Sequence, residues 1–219
     1  MKSCKHKTGV TLVEILIVVA VIAILVSMVI GIAFRIDSQG KEQLTKNTIA
    51  LLDAALGEFG DYEYNYKDSD YTDFDFPLDC NDFPKDKLET DLGKALGVNV
   101  TINATGHDPN YSGSEALYFF LSRVPESRKT LDKIDKSLIT NKDKNKQDMT
   151  ITIDGKSYLL MRFVDPWGET LRYSYYENDK EKIGPPSSEP EQGSPRTFPV
   201  ITSAGPDKEF GTADDITSR

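Results

Sequence analysis

A carboxylate stands inside the most apolar stretch of this chain: Glu14, in the run from Val10 to Phe34. At mid-membrane such a group costs roughly 2.5–3.5 kcal/mol on insertion scales, so a partner for it has to be named. A cut between Gly9 and Val10 would supply one. Val10 would then carry a free, positive α-amine one helical turn from Glu14. Glu14 would also lie near the positive end of the helix dipole. In a stack of chains the same carboxylate would meet the amine of a neighbour and fix the axial register.

A second group of carboxylates lies near the other end. Asp207, Glu209, Asp214 and Asp215 fall in one short loop with Gly205 and Gly211. Like charges this close repel unless a cation joins them. A hard divalent ion takes about six to eight oxygens from carboxylates, carbonyls and water. Asp207, Asp214 and Asp215 offer carboxylates, and Ser203 and the 210–212 backbone offer further oxygens. The Asp-x-Asp-x-Asp-Gly run of an EF-hand does not occur, and the competing reading is a solvated acidic tail.

Other chemistry is thin. The histidines are His6 and His107. His107, beside Asp108 and Pro109, reads as a loop residue rather than a base. No Gly-x-Ser-x-Gly, phosphate loop or His-rich metal site occurs, so an enzyme is not expected. Two cysteines, Cys4 and Cys80, make no disulfide framework. Cys80 reads as an ordinary buried or half-buried thiol. A formal charge of −9 on 219 residues argues against a general grip on nucleic acid, and no nucleic-acid contact is expected.

The elements that position these groups follow from hydropathy and period. Met1 to Gly9 is basic through Lys2, Lys5 and Lys7. At about 1.5 Å per residue a helix over Val10–Phe34 spans roughly 38 Å, enough to cross a bilayer core. The run is too long for a secretory signal and ends in no clear small-x-small site. Lysines before it and Arg35 after it favour a cytoplasmic N-terminus. Leu44, Thr48, Leu51, Leu52, Ala55, Leu56 and Phe59 continue at three- and four-residue spacing, while Lys41, Glu42, Lys46, Asp53 and Glu58 would face water. One long helix is predicted from Val10 to Phe59, weak at Gly31 and Gly40 and stopped by Gly60.

Beyond it, Asp61 to Pro84 is acidic and aromatic. It reads as a surface loop packing a few aromatics, with a short strand at Tyr62, Tyr64 and Tyr66. Leu88, Leu92 and Leu96 followed by Gly97 predict a helix over 85–96. Further helices are expected at 114–124 and 128–139, and a lysine-rich turn at 141–147. From Met149 the period becomes two. Strands are expected at 150–153, 157–164, 170–176 and 198–201, with Asp154-Gly155 as a hairpin turn. Residues 184–195 read as a loop. The expected fold class is α+β. A long N-terminal helix, transmembrane over 10–34 and amphipathic over 35–60, would pack on a small antiparallel sheet. A domain over 61–219 would end in the acidic loop 203–216.

The octet Lys7-Thr8-Gly9-Val10-Thr11-Leu12-Val13-Glu14, followed by an apolar helix, resembles the cleavage and methylation motif of type IV prepilins and type II secretion pseudopilins. The resemblance implies that a membrane prepilin peptidase cuts after Gly9 and N-methylates Val10, and that Glu14 serves assembly. The departure is Val10, where phenylalanine or methionine is usual. Asp165-Pro166-Trp167-Gly168 and the acidic loop resemble, in order, a turn and a calcium loop of the major pseudopilins. That implies Ca2+ held by Asp207, Asp214 and Asp215 with Ser203. The resemblance covers roughly the first and last fifty residues and hardly touches the middle.

It implies a filament subunit for protein export, partnered by its own copies, minor pseudopilins, the prepilin peptidase and the inner-membrane assembly platform. The chain would sit single-pass in the bacterial inner membrane and then in a periplasmic or cell-surface filament. A type IV pilus subunit for adhesion, motility or DNA uptake is the second reading, and a single-pass anchored binding protein the rival of another class. Loss of the leader would make the chain three charges more negative.

Overall fold

The computed structural model describes residues 12–65, 76–77, 79–175 and 199–218. The chain divides into two units, Met1–Lys41 and Glu42–Arg219. Helix α1 (Leu12–Asn65) runs from the first into the second. The backbone is helical through Gly31, Gly40 and Gly60. The predicted stop at Gly60 is therefore corrected. A helical glycine costs only about 1 kcal/mol, and Tyr62, one turn past Phe59, packs on the core and extends the buried stripe. Tyr62 and Tyr64 are accordingly helical rather than strand. Tyr66 and the loop expected at 184–195 lie outside the described residues.

In the second unit α1 buries Thr45, Thr48, Ile49, Leu52, Ala55, Leu56 and Phe59, the face its spacing predicts. Each fully buried leucine contributes roughly 1.5–3 kcal/mol. Glu58 does not simply face water, because its carboxylate accepts the Thr130 hydroxyl at 3.0 Å.

Helix α2 (Lys85–Leu96) turns Leu88, Leu92 and Ala95 inward. It ends at Gly97, whose φ of 64° is the left-handed cap predicted for it. Helix α3 (Ser112–Leu121) begins two residues before its expected start and is buried along nearly its whole length. Its small residues allow close approach. A Cβ on Gly113 would run into the Asn81 side chain. The Ser114 hydroxyl accepts the Phe163 N–H at 2.9 Å. Helix α4 (Pro125–Leu131) is followed by a 3-10 turn over Lys136–Leu138, where one helix was expected. The Ser127 hydroxyl of α4 donates to the Ala55 carbonyl of α1 at 2.8 Å.

Among the described residues the strands form three small antiparallel sheets instead of one. The first orders β1 (Val100–Asn103), β3 (Thr150–Ile153) and β4 (Lys156–Leu159). Its hairpin turns at Asp154 and Gly155, with φ of 47° and 77°, the left-handed pair that a two-residue turn demands. The second pairs β2 (Ile139–Thr140) with β5 (Arg162–Phe163). The third orders β6 (Arg172–Ser174), β7 (Val200–Ser203) and β8 (Ile216–Thr217). The strand predicted over 157–164 is thus cut in two at Leu160, where β4 leaves one sheet and β5 enters another. Helix α3 lies on β5 and β6, and α2 on β1. The two fully buried ring side chains in this core are Phe163 and Tyr173, and the Tyr173 hydroxyl donates to the Pro77 carbonyl at 2.8 Å.

Candidate functional site

The first unit presents an apolar helix surface. Every large apolar side chain from Leu12 to Val26 is 50–80% exposed. A contiguous surface of this kind marks contact with lipid or with other protein. Glu14 stands in the first turn, exposed, where the helix dipole favours a negative charge. Gly9 and Val10 lie outside the described residues. Among the described residues no helix is long and apolar enough to cross a membrane. The predicted run from Val10 to Phe34 extends past the described side chains at both ends.

The acidic loop follows β7. Its oxygens are held largely by the loop's own donors. Asp207 accepts the Glu209 N–H at 2.9 Å, Asp215 the Gly211 N–H at 2.7 Å, and Asp214 the Asp207 N–H at 3.1 Å and the Thr212 hydroxyl at 2.7 Å. The Thr212 hydroxyl leads the donors that pull the Asp214 carboxyl below its ordinary value. Gly205, at φ 69°, backs directly against the Asp214 carbonyl, and a Cβ there would collide with it.

Ser203 does not join this group. Its buried hydroxyl donates to Asp165 at 2.7 Å. Among the described residues no group of three or more acidic, histidine or cysteine side chains is placed to hold a metal ion.

Asp165 is the brace of this region, a role its sequence context left unread. One carboxylate oxygen accepts the Trp167 and Glu169 N–H groups at 3.0 and 2.9 Å, and the other accepts Ser203. The Asp-Pro-Trp-Gly turn and the strand leading to the acidic loop are therefore one hydrogen-bonded unit. Trp167 packs half-buried on the core edge.

A second polar cluster was not anticipated. His107 Nε2 lies 2.9 Å from Glu115 Oε2, with both side chains nearly inaccessible. Burial raises the Glu115 carboxyl, and the His107 contact opposes the rise. Arg162 stacks on the Tyr111 ring at 3.6 Å and donates to the Lys142 carbonyl and to Thr170. Asp108 pairs with Lys144 at 2.8 Å. These contacts tie the 106–111 segment to the 142–148 turn and to β5, and His107 is a loop residue held by Glu115 of α3. Cys80 is buried and unpaired, and burial pushes its thiol up to about 12, the inert behaviour expected of it.

Comparison with known proteins adds one match. A family model, the prokaryotic N-terminal methylation motif, covers residues 4–30. No curated protein and no solved structure matches the chain. The matched span contains Gly9, Val10, Glu14 and the first part of α1, so the chain carries the prepilin-type signal of the type IV pilins and pseudopilins.

Proposed function

We propose that this chain is a structural filament subunit, cut after Gly9, methylated on Val10 and assembled through α1. The observation that carries this reading is the methylation motif continuing into a helix whose large apolar side chains are 50–80% exposed. Such a helix requires lipid before assembly and neighbouring helices after it. The precursor would lie in the bacterial inner membrane with its basic leader in the cytoplasm. The prepilin peptidase and the assembly platform would act on it there. Glu14 would pair with the Val10 amine of the neighbouring copy.

Within this class we favour a secretion pseudopilus, built from this chain with minor pseudopilins. The Asp-Pro-Trp-Gly turn bonded to the strand before an acidic loop supports it. A type IV pilus for adhesion, motility or DNA uptake is the second reading. A calcium ion at the acidic loop would use the lone pairs that Asp207, Asp214 and Asp215 keep beside the donors they accept, and assembly through α1 does not depend on it.

The test is the intact mass and N-terminal sequence of the full chain recovered from membranes. The expected chain starts at Val10 and is one methyl group heavier than the unmodified sequence. A chain still starting at Met1, in cells with an active prepilin peptidase, would leave a single-pass anchored protein instead.

A further inference from the structure

Residues of α3, α4 and β4 line an open hollow of about 850 Å³. Its wall carries Arg123, Arg128 and Lys136, all exposed. Among the described residues none of the three is in an ion pair. Arg123 is braced flat on Phe119 at 4.2 Å, and the one exposed carboxylate in the wall is Asp132. The β4 side is apolar and open, with Tyr158 and Leu159 51% and 57% exposed on an edge strand. Glu115 also lines the hollow, and its Oε1 is buried without a hydrogen-bond partner. A chain of net charge −9 thus gathers unpaired cations and exposed apolar side chains at one concave place.

Exposed groups of opposite charge are on the same chain but on other elements. Between β7 and β8 the loop exposes Asp207, Glu209 and one side of Phe210, whose ring lies 4.7 Å from the Arg172 guanidinium. Its internal hydrogen bonds fix its form in advance, which lowers the ordering cost of docking.

We propose that the acidic loop of a second copy of this chain docks in this hollow, with Glu209 toward Arg128 and Lys136 and Phe210 toward Tyr158 and Leu159. This rests on the filament reading, and it gives that filament a contact between globular units. A knob and a hollow on different elements make a heterologous contact, which repeats without closing. Opposite charges then select the register.

The test uses the full chain in cells that assemble it. Lys136→Cys combined with Glu209→Cys should give, on mild oxidation of sheared filaments, a ladder at multiples of the subunit mass. Either single substitution should give none, since Cys80 is buried. Arg128→Glu or Glu209→Arg alone should lower filament yield about tenfold, and the two together should restore most of it. Both positions are exposed, so unchanged melting of each variant separates lost docking from lost folding.

Filaments that form without a ladder and ignore both charge reversals overturn the docking and leave the filament reading standing. A Lys136→Cys adduct to a different protein in place of the ladder also overturns it, by placing another occupant in the hollow. A chain that keeps Met1 and forms no polymer overturns the filament reading, and the docking with it.

Discussion

Glu115 lies in α3 with no side open to water. Burial raises its carboxyl, and His107 at 2.9 Å works against the rise. The folded chain therefore holds this proton more tightly than the unfolded chain does. Its contribution to stability is fully present below the ordinary value of 4.5 and is lost as pH rises through the raised one. Glu115→Gln removes that loss. Relative to the wild type, the variant should gain stability as pH rises above 4.5, read from urea midpoints across a pH series. Parallel curves would remove Glu115 from the account. The pair was illegible in sequence because the histidine's partner sits eight residues on, inside a run that reads only as apolar helix. The signal that was present is a lone carboxylate with serine, glycine, alanine and phenylalanine on every side. Asp165 was half-legible. Its turn could be read from Pro-Trp-Gly, but its bond to Ser203 spans 38 residues and only the fold brings the two together.

Among the elements, α1 follows its hydrophobic spacing most closely and its punctuation least. Gly57 lies mid-helix, half-buried, with nothing within 4 Å of where a Cβ would stand. Gly57→Ala should raise stability by about 0.5–1 kcal/mol, by limiting the unfolded chain without a clash, as thermal unfolding would show. A lower melting temperature would mean that this helix face is occupied. Gly60 misled for a related reason: a glycine ends a helix only where the packing also ends, and Tyr62 prolongs it. Gly97 and the Asp154-Gly155 turn could be read because there the backbone itself needs positive φ. Strand β3 was legible because its four alternating residues run into the Asp154-Gly155 turn. Val100–Asn103 is of the same length but has no such turn beside it, and Ile216–Thr217 is too short to carry a period of its own. They exist because β3 and β7 offer them an edge. The division of 157–164 between two sheets was likewise invisible, since the run holds no turn residue around Leu160 to mark it.

For the whole molecule, the proposed assembly places its main demand on one charge. Glu14→Ala should leave cleavage after Gly9 intact, because the glutamate's proposed partner is the amine that cleavage creates. It should lower the filament yield in the sheared surface fraction by an order of magnitude or more, with processed chain accumulating in the membrane. Filaments at the wild-type level would show that apolar packing alone sets the register. The motif was legible because it is a local string, carried by adjacent residues and independent of the fold. The middle of the chain was not, because its order depends on which small sheet each strand joins.

Cys80 adds a kinetic property to this picture. With Cys4 in the leader, the mature chain would enter an oxidising compartment with a single thiol. Once folded, that thiol is buried and pushed up to about 12, so almost none of it is thiolate. Before folding it is an ordinary, reactive thiol. Under the proposed export the residue would work as a clock: a chain that folds promptly would keep a free sulfhydryl, and one that lingers would carry a mixed disulfide or an adduct. The fraction of blocked Cys80 in a harvested population would record how long subunits wait between crossing the membrane and closing their core.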